Sequence, residues 1–209
     1  VVIPYVENGK IVSYVNFLQN KAFAYANGKA EGDIALTQWT KDGKTIYPKS
    51  FICAPLEIRG KGTENDPYRI SLPEHLEQIS SNVNNGETYK GKYFRLTRSF
   101  AYEGSQIGCS GRYFAGVFDG DYHTLTLTLN GGSHTALFYE IDGGTVQNLE
   151  VAGTVKGTNC VGAIAGYVTL GSLIDNCRVT ASVTGTEENV GGIVGIVFAE
   201  IKHMMSTII

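Results

Sequence analysis

Gly144–Val168 reads GTVQNLEVAGTVKGTNCVGAIAGYV, and Gly171–Val197 reads GSLIDNCRVTASVTGTEENVGGIVGIV. The two stretches are one pattern written twice. Gly144 matches Gly171, Asn148 matches Asn176, Val155 matches Val183, Gly157 matches Gly185 and Gly166 matches Gly195, at offsets of 27, 28, 28, 28 and 29 residues. The drift in offset places single-residue insertions at turns. Each copy holds short apolar runs broken by Gly or Asn, such as Leu149–Val151, Thr154–Val155 and Gly162–Val168, with no helical period. A β-rich unit of this length cannot bury its apolar face alone, so the pattern implies stacked coils. The expected form is a parallel β-solenoid, one coil per repeat, with strands pairing from coil to coil. In such a stack Asn148 and Asn176 would lie one above the other and satisfy turn backbone, and the recurrent Gly residues would supply positive φ at tight turns. Cys177 aligns with the apolar Leu149, which marks it as a buried free thiol.

Upstream, the same logic continues with different spacing. In Phe114–Leu129, Leu125, Leu127 and Leu129 point one way while Thr124, Thr126 and Thr128 point the other, the alternation of a half-buried strand. Tyr89–Phe100 places Phe94 and Leu96 on one parity among polar neighbours, and Ala136–Phe138 gives another short apolar strand. Before these, Tyr68–Ile70 reads as a strand. It leads into a helix whose apolar stripe is Leu72, Leu76, Ile79 and Val83, at i, i+4, i+7 and i+11. Ser71 and Glu74 have capping-box spacing, Pro73 falls in the first turn, and Asn84-Asn85-Gly86 ends the helix. Such a helix is suited to cover the open end of a solenoid. Residues 1–58 do not match the repeat. Asn8-Gly9, Asn27-Gly28 and Asp42-Gly43 divide short alternating runs, including Lys10–Leu18, Ala35–Trp39 and Thr45–Tyr47, and Gln38–Pro48 is the clearest hairpin. Trp39 is expected in the core or in hairpin pairing. The division is therefore 1–58, a small antiparallel β module; 59–200, a solenoid with its helix at about 72–83; and 201–209, a tail that is a candidate C-terminal cap.

Composition narrows the function. Charged residues are 18% of the chain, against the usual ~25% for soluble domains. Gly is abundant at 26 residues, with 12 Tyr and 9 Phe, a profile that suits a turn-rich extracellular β protein. Residues 1–100 hold 13 Lys and Arg against 10 Asp and Glu, whereas residues 101–200 hold 3 against 10. The acidic repeat half argues against a nucleic-acid partner. No apolar run reaches the length of a membrane span, and the N-terminus lacks the pattern of a signal peptide, so an exported protein would be seen here in processed or trimmed form. Four cysteines, Cys53, Cys109, Cys160 and Cys177, allow two disulfides in three connectivities, and without a CxxC pair they do not propose a zinc site.

The order of motifs resembles a known family. GTENDPYRI (Gly62–Ile70) and a Leu-rich helix are followed by YKGKYFRLT (Tyr89–Thr97), FAGVFDGDYHTL (Phe114–Leu125) and ALFYEIDGGTVQNLEVAGTV (Ala136–Val155). VGAIAGYV (Val161–Val168) and VGGIVGIV (Val190–Val197) complete the series. Over roughly Gly60 to Val197 this is similar to the GLUG-motif proteins, bacterial surface or secreted proteins. The resemblance implies a right-handed parallel β-helix, an all-β chain, and an adhesin-like, non-catalytic role at the cell surface. It brings no catalytic set and no cofactor. Some members belong to large metallopeptidases, but no HExxH occurs in this chain, so that activity is not carried over. The chain also departs from the family in stopping after about two full repeats, with a tail (Phe198–Ile209) that lacks the Gly pattern.

Among the residues that the repeat leaves free, the basic and aromatic cluster Lys90, Lys92, Tyr93, Arg95 and Arg98 is the candidate binding feature, suited to an anionic glycan by charge and ring stacking. The structural alternative is the solvated edge of an early coil, where Lys discourages edge-to-edge pairing. Asp119 and Asp121 are the carboxylate pair that a glycosidase or polysaccharide lyase of β-helix type would need, and they are also the nearest approach to a calcium site. Their place in a turn instead predicts hydrogen bonds to backbone. His75, His123, His134 and His203 show no ligand spacing, so no metal site is expected. Three functions follow: a surface binding protein for glycan or for another surface protein, a carbohydrate-active enzyme, and a structural stalk. A short solenoid with weakly covered ends is also expected to associate end to end.

Overall fold

The computed structural model describes residues 58–205 in full, together with the backbone of Ser206 and of six strands nearer the N-terminus. The chain divides into two compact units, Val1–Ala54 and Pro55–Ile209. In the first, β1 (Val2–Glu7), β2 (Lys10–Asn16), β3 (Lys21–Ala26) and β4 (Lys29–Ala35) form one antiparallel sheet in sequence order. The Asn8-Gly9 and Asn27-Gly28 pairs lie in sequence between partnered strands and are themselves outside the described residues. β5 (Trp39–Lys41) and β6 (Lys44–Ile46) make the expected hairpin around Asp42-Gly43. Trp39 pairs with Ile46 across it, but its side chain and Cys53 lie outside the described residues.

The second unit is a parallel β-solenoid. Its first sheet stacks β7 (Tyr68–Ile70), β8 (Tyr93–Leu96), β10 (Val117–Asp119), β13 (Thr145–Gln147), β16 (Leu173–Asp175) and β20 (Glu200–Lys202). The second stacks β9 (Phe100–Tyr102), β11 (Thr124–Asn130), β14 (Glu150–Gly157) and β17 (Arg178–Val179), ending on β21 (Met205–Ser206), with β18 (Ser182–Gly185) also on β14. The third holds β12 (Phe138–Ile141), β15 (Ala165–Val168) and β19 (Val194–Val197). Every pairing between these strands is parallel. Residues 200–206 thus add strands to the first and second sheets.

Coil-to-coil register explains the repeat. Phe94, Phe118, Val146 and Ile174 are Cα partners in successive coils, and all four are at most 1% exposed. Leu125 and Leu129 point inward opposite Val151 and Val155, while Thr126 and Thr128 face solvent. Burying each such side chain contributes about 1.5–3 kcal/mol, so this axial column is a main source of stability. Aromatic rings continue it at one end: Phe94 lies 5.7 Å from Phe114, and Phe114 lies 4.9 Å from Phe138 between centroids.

The register confirms four of the five matched pairs and corrects the fifth. Thr145 is partnered with Leu173, so Gly144 stands opposite Ser172, and it is Gly143 and Gly171 that share a turn, at φ 70° and 82°. The role expected of the recurrent Gly residues also changes. Gly157, Gly185, Gly166 and Gly195 do not adopt positive φ. They are small because neighbouring chain passes against them: a Cβ on Gly166 would stand 2.8 Å from the Cα of His134, and one on Gly195 would stand 2.4 Å from the carbonyl carbon of Cys160. Beside Gly143 and Gly171, left-handed turn positions are taken by Asn148 and Asn176, both at φ 51°. Asn tolerates that region better than most residues.

The helix α1 spans Pro73–Asn84 and buries Leu76, Ile79 and Val83 as its stripe predicts. The capping box is not formed. Leu72 is the N-cap, extended at φ −142° with no side-chain cap bond, because a residue before proline is driven out of the helical region. Ser71 is thereby left outside the helix, and its N–H donates to Nδ1 of His75 at 3.2 Å. The helix lies against the β9 end of the second sheet. There Glu77 Oε1 accepts the Ser105 N–H at 2.8 Å and the Tyr102 hydroxyl at 3.2 Å, and Ser80 Oγ donates to the Gln106 carbonyl at 2.7 Å.

Candidate binding groove

Alternation along β8 sends Phe94 and Leu96 inward and turns Tyr93 and Arg95 outward. Parallel register then sets Arg95 beside Asp119 and Asp119 beside Gln147, while Tyr93 stands beside Val117 and Val117 beside Thr145. These outward residues, with Glu64 and Pro67 at one side, line an open groove of about 340 Å³ across the first sheet.

Its electrostatic centre is Asp119. Arg95 Nη2 stands 3.7 Å from Asp119 Oδ2, with the arginine side chain 47% exposed and the carboxylate 16%. Asp119 Oδ1 accepts the Asp121 N–H at 2.9 Å and Asn148 Nδ2 at 3.0 Å. Asn176 Nδ2 then donates to Asn148 Oδ1 at 2.7 Å and to the Tyr122 hydroxyl at 3.0 Å. The matched asparagines therefore stack as expected, but in a ladder whose side chains bond one another, Tyr122 and Asp119 rather than turn backbone. Asp121 is exposed at φ 46° in the following turn. The turn reading holds for Asp119, whose Oδ1 accepts turn backbone and the ladder while Oδ2 faces Arg95; only the backbone N–H of Asp121 takes part.

Of the five residues singled out in the sequence, the structure brings Tyr93 and Arg95 into the groove. Lys90 and Lys92 are exposed on either side of Gly91 in the turn before β8, Arg98 is exposed beyond its end, and none of the three lines the groove. Asp119, Gln147, Glu64 and Pro67 were not assigned to it from sequence. The signal for the first two was the coil offset, which carries Arg95 onto Asp119 and then Gln147; Glu64 and Pro67 precede the first full coil, where no repeat offset applies.

The remaining histidines are structural or peripheral. The His123 N–H donates to the Gly120 carbonyl and its own carbonyl accepts the Glu150 N–H. His134, at φ 58°, stacks on Tyr139 with centroids 4.7 Å apart, and burial lowers its pKa. His203 Nδ1 lies 2.7 Å from Asp175 Oδ1 on the surface. Cys177 is buried without a disulfide, and burial pushes its thiol up to about 11. Among the described residues no group of three or more His, Cys, Asp or Glu side chains is placed to hold a metal ion.

Comparison with known proteins agrees with this architecture. Residues 157–184 match the family model for the GLUG motif, a stretch that runs from the end of β14 to β18 and so amounts to one coil. The chain is 32% identical over 156 residues to halomucin of Haloquadratum walsbyi; the match takes in 65% of this chain and 2% of halomucin, so the chain spans only a small part of that relative. A crystal structure of a candidate immunoglobulin A1 protease from Bacteroides ovatus superposes with a TM-score of 0.50 at 19% identity, covering 71% of this chain and 59% of that one, a likeness of fold. The chain is therefore a parallel β-solenoid, one coil of which carries the GLUG motif.

Proposed function

We propose that the chain is a non-catalytic binding segment of a secreted or cell-surface protein, and that its first sheet holds an anionic glycan across the groove between Tyr93 and Gln147. The observation that carries this reading is the convergence, on one outward face, of an aromatic ring, an arginine held in place by Asp119, and an amide. Arg95 is half exposed, so its guanidinium keeps donors for a ligand carboxylate or sulfate. Lys90, Lys92 and Arg98 add positive potential at the margins of the same strand, where they act by steering rather than contact. The repeat's own Asn, Gly and Val residues support the reading by exclusion, since they serve packing and turns.

The test is an array of neutral, carboxylated and sulfated glycans probed with the wild-type chain and with Tyr93→Ala and Arg95→Ala. Retention of anionic glycans that falls at least about tenfold in either variant, and weakens with added salt, is the expected result. Retention unchanged in both variants would exclude the groove. If no glycan is retained and a surface protein is captured instead, the glycan assignment fails. Release of oligosaccharides from an incubated polysaccharide would favour the alternative, a β-helix carbohydrate-active enzyme; Asp119, already occupied on both oxygens, is a poor acid for that reaction.

A further inference from the structure

A second concave site, which has only Phe94 in common with this groove, lies where α1 meets the first coils. It encloses about 620 Å³, within the range of small-molecule pockets. One wall is aromatic. The Tyr68 and Tyr89 rings both contact Phe94, at centroid distances of 5.2 and 4.9 Å, tilted by 44° and 85°, and form a cleft with the buried Phe94 at its floor. The other wall is built of amides. Gln78 and Asn82, one turn apart on α1, and Asn85 at its C-cap present their amides to the cleft. A solvated helix face ordinarily carries Lys and Glu; Gln78 and Asn82 are instead half-buried over aromatic rings.

Tyr89 joins the two walls. Its backbone sits at φ 57°, an uncommon conformation for a bulky residue, and it is held there by Glu87 Oε1, which accepts its N–H at 2.8 Å. Its hydroxyl oxygen accepts Asn82 Nδ2 at 2.6 Å, which leaves the phenolic proton and Asn82 Oδ1 to face a ligand. The cleft thus offers apolar ring faces together with groups that both donate and accept. The named lining includes one carboxylate, Glu87, and no cation, which favours a neutral ligand over an anion; Arg112 stands beside Gly86, outside that lining.

We propose that this pocket binds a single neutral pyranose, a hexose or N-acetylhexosamine residue, with its apolar face on the Tyr68–Tyr89 cleft and its hydroxyls on Asn82, Gln78 and Tyr89. The site shares only Phe94 with the groove on the first sheet and selects neutral rather than anionic sugars. Ligand-observed NMR on the whole chain, with glucose, galactose, N-acetylglucosamine and glucuronate as probes, tests it. At least one neutral sugar should bind in the millimolar range and more tightly than glucuronate. Tyr89→Phe, which keeps the ring, and Asn82→Ala should each weaken that binding by about fivefold or more, the effect of one lost hydrogen bond. Arg95→Ala should leave it unchanged. The proposal is overturned if no neutral sugar binds, if glucuronate binds as well as the neutral sugars, or if binding survives both pocket substitutions. Should Asn82→Ala fail to fold, Tyr89→Phe and Gln78→Ala carry the same test.

Discussion

Replacing Asn148 separates two roles that this residue combines. Its side chain donates to Asp119 and accepts from Asn176, and its backbone is left-handed at φ 51°. Each hydrogen bond contributes about 0.5–1.5 kcal/mol net, so losing both costs about 2 kcal/mol. An alanine in the left-handed region adds about 1 kcal/mol, which glycine avoids. Asn148→Ala should therefore destabilise by about 3 kcal/mol and Asn148→Gly by about 2 kcal/mol. The order is the informative part, because in an ordinary strand or helix glycine is the worse of the two. Urea titration followed by circular dichroism measures both, with amide exchange at residues 148–176 to detect opening of single coils, since repeat stacks need not unfold in one step. Glycine less stable than alanine, or both variants within about 0.5 kcal/mol of wild type, would refute the ladder and the turn geometry together.

Two further outcomes are expected. Gly195→Ala and Gly166→Ala place a methyl group against backbone at 2.4 and 2.8 Å, so each should cost more than about 2 kcal/mol; Gly143→Ala, which meets no atom within 4 Å, should cost only about 1 kcal/mol for its positive φ. Calorimetry of the three variants ranks them, and a Gly143 variant as damaged as the other two would contradict the close-approach account. His75 has a lowered pKa, chiefly from burial, and its Nδ1 must stay unprotonated to accept the Ser71 N–H. The neutral ring's stability is complete above the ordinary value of 6.5 and is lost as pH falls below it toward the lowered folded value. Melting temperature should fall between about pH 7 and pH 5, less steeply in His75→Asn, which keeps an acceptor; an unchanged slope would remove His75 as the source.

The solenoid was legible because its determinants are local and periodic. Offsets of 28 between Asn148 and Asn176 and between Val155 and Val183 are the coil length itself, and the Leu–Thr alternation of β11 and the apolar stripe of α1 each declare which side is buried. Two structural details were not legible. Spacing places Ser71 as a cap, but the proline after Leu72 moves the helix start by one residue. Composition cannot distinguish a glycine needed for positive φ from one needed because another coil presses on it; Gly171 and Gly195 look alike in sequence and differ only in three dimensions. The candidate groove was half legible. Tyr93 and Arg95 share a strand and are read together, whereas Asp119 and Gln147 join them only through register between coils. The helix pocket was hidden because its aromatic and amide walls come from separate elements, brought together when α1 folds over the first coils.

All of this depends on the coil-to-coil register of the parallel sheets, which a cysteine-pair measurement tests directly. Thr128 and Thr154 are Cα partners on β11 and β14, and both face solvent. Partners on adjacent strands are about 4.8 Å apart, inside the range a disulfide can bridge, whereas a pair displaced by two residues stands about 8 Å apart, beyond it. In a background with Cys53 and Cys109 changed to Ser, Thr128→Cys with Thr154→Cys should oxidise to an intramolecular disulfide identified by peptide mass spectrometry. Thr128→Cys with Ala152→Cys should stay reduced. A disulfide in the displaced pair and none in the registered one would contradict the stacking on which the groove, the ladder and the helix pocket are built.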